Sequence, residues 1–219
     1  MSTYPISELN KVIRGSKRAN YNVETIHTIL DAEFMCHVGY VWDDQAIVIP
    51  MAYGRKDSTI YLHGSLKNRM MLNLLKTEKA SITVTILDGL VLARSAFHHS
   101  ANYRAATVFG TVRNVTDDAE KWNALAYITN HMVAGHWDHV RQPNPKEFKS
   151  TLVIALDIET ASAKIRTGGV VDETEDLTLP IWAGVVPLRR VADPALSETD
   201  LPEGVGVPSS VTEYVERNR

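Results

Sequence analysis

The stretch Phe34–His63, FMCHVGYVWDDQAIVIPMAYGRKDSTIYLH, decides the fold class. Phe34 to Val41 and Ala46 to Tyr53 are dense in β-branched and aromatic residues and predict two strands. Trp42-Asp-Asp-Gln45 interrupts them with turn chemistry, and Gly54-Arg-Lys-Asp-Ser58 turns the chain into a third strand ending at His63. Connections this short join antiparallel neighbours, because parallel strands need a crossover of about a dozen residues or more. The stretch is a meander of hairpins.

Upstream, Asn22 can cap a helix in which Val23, Ile26, Ile29 and Leu30 have helical spacing, to about Ala32. Downstream, Ser65 is placed to cap a second helix, with Leu66, Met70, Met71, Leu74 and Leu75 on one face, before Ala80 to Leu87 returns as a strand. Asp88-Gly89 is a hairpin-turn signal leading into Leu90 to Ala96. The run Tyr103 to Val115 predicts a long strand bent at Gly110. Asp117 with Glu120 opens a helix carrying Trp122, Leu125, Ile128 and Met132 on one face and ending near Gly135. Thr151 to Asp157 and Ala161 to Arg166 are the last strong strand signals. About seven strands in hairpin order, with helices inserted at a few points, predict a mainly β, α+β fold built as an antiparallel barrel. Residues 1–167 form that domain. Residues 168–219 read as a largely irregular extension in which Ile181 to Val191 alone is apolar enough to dock, on the barrel or on a dimer partner.

The charge balance, 23 Lys+Arg against 26 Asp+Glu, supplies no basic field for nucleic acid or acidic lipid. Cys36 is the single cysteine, so no internal disulfide is available, and its apolar strand context suits a small buried hydrophobe. The amino terminus lacks an apolar signal region and no run is long enough to cross a bilayer, so the expected setting is cytoplasmic, with no membrane partner.

His63-Gly-Ser65 leads into Leu66-Lys67-Asn68-Arg69 at the start of a helix. Backbone amides, a hydroxyl and cations there suit one anion, for which a phosphate monoester is a good fit. A plain helix cap beside solvated cations accounts for the same residues. A second polar cluster, SAFHHSANYR, Ser95 to Arg104, lies between two predicted neighbouring strands, and its Arg104 could pinch the same anion.

The succession Pro50-Met-Ala-Tyr53, His63-Gly-Ser-x-Lys67 before a helix, and Asn102-Tyr-Arg-Ala-Ala-Thr-Val-Phe-Gly110 resembles the pyridoxamine 5′-phosphate oxidase-like flavoproteins. Within them it is most similar to the branch of the nitroimidazole-resistance reductases. The resemblance runs from about Arg14 to Arg166, with Trp182 to Pro187 similar to the tail of longer members. It implies a split β-barrel of about six to seven strands with a few peripheral helices, and a homodimer holding FMN between subunits. It further implies that Lys67 and Arg104 bind the FMN phosphate with Ser65 assisting. By the same likeness Pro50, Met51 and Ala52 line the isoalloxazine edge, His63 lies on the substrate face, and Trp182 covers the ring. Flavin carries its own redox chemistry, so no catalytic dyad is needed.

The expected activity is oxidation or reduction of a small compound, aromatic and nitro-bearing compounds among the candidates, with NAD(P)H as a candidate donor. The basic carboxyl-terminal substrate motif of true pyridoxamine phosphate oxidases is missing, and Leu188-Arg-Arg190 is a poor replacement. A flavin-binding sensor, a deazaflavin in place of FMN, and haem ligated by His63, His98 or His99 are alternatives. His131, His136 and His139 straddle a predicted helix end, a spacing that suits a polar cluster better than a metal site, and no metal is expected. Asp172 to Asp176 reads as a solvated loop or a cover for a partner's site, and Arg14-Gly-Ser-Lys-Arg18 as a solvated arm, basic enough to reach a phosphate too.

Overall fold

The computed structural model describes residues 2–219. The short strand β1 (Ala19–Asn20) precedes helix α1 (Val23–Asp31), where the Asn22 side chain accepts the Thr25 N–H. Strands β2 (Met35–Trp42) and β3 (Gln45–Ala52) follow as a hairpin closed by Asp43 and Asp44, both with positive φ, the left-handed pair that a two-residue turn requires. Next come β4 (Gly54–Lys56), β5 (Thr59–Ser65), α2 (Arg69–Thr77), β6 (Lys79–Leu92), β7 (Ser100–Asn114), α3 (Asp118–Met132), α4 (Pro145–Ser150) and β8 (Thr151–Arg166). β9 (Gly184–Pro187) and α5 (Ser209–Arg217) complete the chain.

The main sheet runs β3-β2-β6-β7-β8-β5-β4 with antiparallel neighbours throughout, β1 adding to β8 and β9 to β6. Its two outer strands, β3 and β4, are separated in sequence by Tyr53 alone. A sheet whose first and last strands are covalently joined must roll up, and the result is a split barrel. Alternation along β2 sends Cys36, Val38 and Tyr40 inward, where they meet Ile60, Leu62, Ile82, Val84, Val108 and Leu156 from the other strands. Ile26, Ile29 and Leu30 of α1 and Met70, Met71 and Leu74 of α2 join the same core. A smaller core lies on the outer face, where Ala124, Leu125 and Ile128 of α3 cover Tyr61, Val153 and Ala155.

Tyr53 locks the junction. Its ring is fully buried, its hydroxyl donates to the Leu30 carbonyl at the end of α1, and its own carbonyl lies 2.9 Å from His131 Nδ1. Gly54 is needed next to it, because a Cβ there would stand 2.5 Å from the Ile128 backbone nitrogen.

Several expectations are corrected. Asn68 caps α2, its side chain accepting the Met71 N–H, while Ser65 still belongs to β5. Asp88-Gly89 makes a bulge: β6 runs unbroken past it and keeps pairing with β7, so one long strand replaces two. Thr151–Arg166 is likewise continuous, with the expected bend at Gly110 appearing as a register shift between β7 and β8. A side chain at Gly110 would put Cβ 1.9 Å from the Asp157 carbonyl oxygen, so the irregularity depends on glycine. α3 stops at Met132, short of Gly135. The carboxyl-terminal extension is more ordered than its composition implies: β9 pairs with Gly89–Leu92, and α5 docks through His136, whose Nδ1 is 3.1 Å from the Ser210 hydroxyl.

Candidate functional site

The roll of the sheet makes a gap with two free edges. β4 pairs with β5 only as far as Gly54↔Tyr61, so His63, Gly64 and Ser65 bond to β8 on one side and to no strand on the other. β3, the opposite lip, bonds only to β2. Unpaired strand edges present backbone donors and acceptors in a row. Met51 and Ala52 lie half-buried on the β3 lip beside Pro50, which has no N–H to offer. His63 stands on the β5 lip. Its side chain reaches solvent, yet the surrounding protein desolvates the ring and lowers its pKa, so the imidazole is neutral at physiological pH.

Beyond Ser65 the chain turns into α2. The Ser65 hydroxyl oxygen accepts the Lys67 N–H at 3.2 Å, leaving its O–H free to donate, and the Lys67 side chain is exposed. Gly64 has an internal reason to lack a side chain, since a Cβ would meet the Met71 sulfur at 2.7 Å. The Arg69 guanidinium lies 5.2 Å from the ring centre of Trp42, at the tip of the β2–β3 hairpin. Trp42 is the member of this patch that the sequence placed only in a turn, and the capping role of Asn68 was given to Ser65. An Asn two residues before the apolar pair Met70-Met71 was the available signal for that cap.

Arg104 and Trp182 lie elsewhere. Arg104 opposes Ile165 and Ser65 opposes Thr151, near the two ends of the 16-residue β8. Within one chain they cannot share an anion. The Arg104 guanidinium is already engaged with Asp88, Nε to Oδ2 at 2.9 Å and Nη2 to Oδ1 at 2.7 Å, and this hydrogen bonding raises its pKa. The pair borders a groove of about 470 Å³ that also carries Arg189, Arg190, Arg217 and Arg219 from the extension. Trp182, 65% exposed, folds its ring over Gly184, at the start of β9 beside Leu92.

His98 and His99 are committed to local partners. His98 Nε2 lies 3.2 Å from a Glu173 carboxylate oxygen, and His99 Nδ1 accepts the Ala93 N–H. Asp172 is an exception to the expected solvated loop, in which Glu173, Thr174 and Glu175 are exposed: its side chain is 1% exposed, and it accepts the Arg94 N–H and Nη1–H at 3.0 and 2.7 Å. Among the described residues no group of three or more His, Cys, Asp or Glu is arranged to hold a metal. Among the described residues no helix is long and apolar enough to cross a membrane.

A family model described as pyridoxamine 5′-phosphate oxidase matches residues 22–165. The flavocytochrome Anf3 from Azotobacter vinelandii is 33% identical, with a TM-score of 0.89 over 94% of this chain and 96% of that one. An FAD and haem binding protein from Mycobacterium smegmatis is 32% identical, with a TM-score of 0.85 over 90% and 97%. A candidate 5-nitroimidazole antibiotic resistance protein from Bacteroides thetaiotaomicron, 21% identical with a TM-score of 0.58 over 67% and 86%, shares the fold. No curated protein sequence matches the chain.

Proposed function

The chain belongs to the pyridoxamine 5′-phosphate oxidase family, and on that premise we propose that it is a flavin-binding redox protein whose flavin lies in the split between β3 and β5. One observation carries this reading: strand pairing ends at Gly54↔Tyr61, leaving two free backbone edges with Ser65 and Lys67 just beyond one of them. A flavin fits these groups. Its polar rim needs backbone donors and acceptors such as Ala52 offers on the free edge of β3, beside Met51, and its phosphate needs the hydroxyl and cation of Ser65 and Lys67. When bound, it would supply one- and two-electron redox chemistry. Pro50 stiffens the β3 lip, and the neutral His63 faces the gap as a donor or acceptor on the substrate side.

Arg104 and Trp182 complete such a site only from a second copy, because β8 keeps them away from Ser65 in their own chain. A homodimer with flavin between subunits is therefore part of the proposal. FMN is the flavin expected from sequence, but the name of the Mycobacterium smegmatis relative favours FAD, and the arginine-lined groove beside Arg104 has charge and volume for an adenylate. The reaction is electron transfer between a nicotinamide donor and a small acceptor, aromatic or nitro compounds among them.

Haem is a second reading, favoured by the same two relatives and by His63. Of the three candidate ligands, His98 is spent on Glu173 and the His99 Nδ1 lone pair on Ala93, whereas burial alone perturbs His63. Axial ligation needs the lone pair of a neutral imidazole nitrogen, which the desolvated His63 can offer.

The test is the visible spectrum of the purified protein, followed by identification of what denaturation releases. FAD or FMN with a flavin spectrum supports the proposal, while a colourless protein that binds neither overturns it. A Soret band lost in His63→Ala with flavin retained would assign haem to that residue. Lys67→Ala should weaken flavin binding by about tenfold or more, the loss of one charge-assisted contact of about 1.5–3 kcal/mol. Unchanged affinity in that variant removes Lys67 from the phosphate site.

A further inference from the structure

The amino-terminal basic arm is a built feature. Arg14 to Arg18 turn back on themselves, with Gly15 at φ 71° and the Arg18 N–H donating to the Gly15 carbonyl at 2.9 Å. β1 then pairs with β8 at Ala19↔Lys164, which brings the half-buried Lys164 under the turn. Even a Cβ added at Gly15 would stand 3.7 Å from Lys164 Nζ, so the ammonium group is packed against the turn. Arg14, Gly15, Ser16, Lys17, Arg18 and Lys164 together line a cavity of about 570 Å³.

The cations of this cavity lack the carboxylate partners that several arginines of the chain have. Arg55, Arg94, Arg104, Arg113, Arg141 and Arg190 each pair with a carboxylate. Among the described residues, Arg14, Lys17, Arg18 and Lys164 form no ion pair, and no carboxylate lines the cavity. In a protein of net charge −3, four unpaired cations around one hollow are not a consequence of composition. Their mutual repulsion is relieved by an anion of more than one charge.

We infer that this cradle binds a phosphate monoester, and that in the redox protein proposed above it takes the 2′-phosphate of a nicotinamide dinucleotide donor, so that NADPH is preferred to NADH. The dinucleotide part rests on the flavin reading. Two features favour the monoester. A dianion matches four cations better than the singly charged diester links of an unphosphorylated dinucleotide. Recognition of a free ribose 2′-hydroxyl uses a carboxylate, which this cavity lacks, while a 2′-phosphate is met by arginine. The volume lies within the ordinary range for small-ligand sites.

The test is calorimetric titration of NADP⁺ and NAD⁺, without turnover, into the full-length protein as purified, with its flavin content measured by absorbance in the same samples. NADP⁺ should bind about tenfold tighter than NAD⁺ or better, and the preference should shrink as salt is raised. Lys164→Ala and, in the exposed turn, Arg18→Ala should each remove most of that preference and leave the NAD⁺ affinity unchanged, while Lys164→Arg should retain it. Equal affinity for the two dinucleotides, or a preference that survives both alanine variants, overturns the cradle. Flavin present with no NADP⁺ preference would sink the cradle alone; NADP⁺ preference in a protein that binds no flavin would sink the flavin reading alone.

Discussion

Tyr53→Phe tests how the barrel is closed. Tyr53 is the single residue between β3 and β4, and its hydroxyl donates to the carbonyl of Leu30, one of the last residues of α1. Carbonyls at a helix end have no partner within the helix, so this hydroxyl satisfies an acceptor that would otherwise be buried and unpaired. Phenylalanine keeps the ring, which packs edge-on to His131 at 4.6 Å, and leaves no cavity. The loss is then one buried hydrogen bond with its acceptor stranded, about 1–2 kcal/mol. For a chain of this size that lowers Tm by roughly 2–8 °C. A second measurement separates this cause from general damage. Burial raises the Tyr53 pKa far above its ordinary value, so the group's contribution is complete below the unfolded value near pH 10 and is lost as pH rises beyond it. Tyr53→Phe should therefore flatten the alkaline fall in stability, as measured by thermal unfolding from pH 8 upward. A variant with wild-type Tm and an unchanged alkaline limb would refute the idea that this hydroxyl anchors the closure.

Gly110→Ala should cost about 3 kcal/mol or more and reduce soluble yield, because its Cβ would meet the Asp157 backbone oxygen at 1.9 Å and only strand displacement can relieve that; denaturant midpoints check it. The Arg113 guanidinium holds the Glu120 carboxyl below its ordinary value, so this pair stabilises the fold above about pH 4.5 and ceases to do so as pH falls through the folded pKa. Glu120→Gln should accordingly lose part of the acid dependence of Tm below pH 4.5, and an identical acid limb would count against the pair. Asp172→Ala strands the half-buried Arg94 and should lower Tm. Hydrogen exchange should then quicken at residues 93–99 and 170–176, with the barrel strands unaffected.

Much of the fold is legible from local pattern. The Phe34–His63 meander, the Asn22 and Asp117 caps and the need for glycine at position 110 all follow from side-chain period and backbone sterics. The misplaced boundaries share one cause. Asp88-Gly89 is a good turn signal, but whether it makes a hairpin or a bulge depends on β7 and β9 being present to pair on both sides of it. Ser65 and Asn68 are both good caps, and pairing of Ser65 with Thr151 of β8 decides between them. α5 escaped notice because its sequence is short and polar, and its docking relies on a partner, His136, 74 residues earlier in the chain.

The candidate site divides the same way. Sequence by itself determined the chemistry available: an apolar edge strand ending in Pro50-Met-Ala52, a histidine before a hydroxyl and a cation, and a second cluster carrying Arg104. It also determined the strand order locally, because short turns allow only antiparallel neighbours. Tertiary structure alone decided which of these groups meet. Long-range pairing along β8 sets Arg104 against Ile165 and Ser65 against Thr151, putting the two clusters at opposite ends of one extended strand. It also neutralises Arg104 with Asp88 and leaves Lys164 and the amino-terminal arm without a counter-charge. Side-chain identity is local information, whereas distance and charge compensation arise only when segments far apart in sequence are brought side by side.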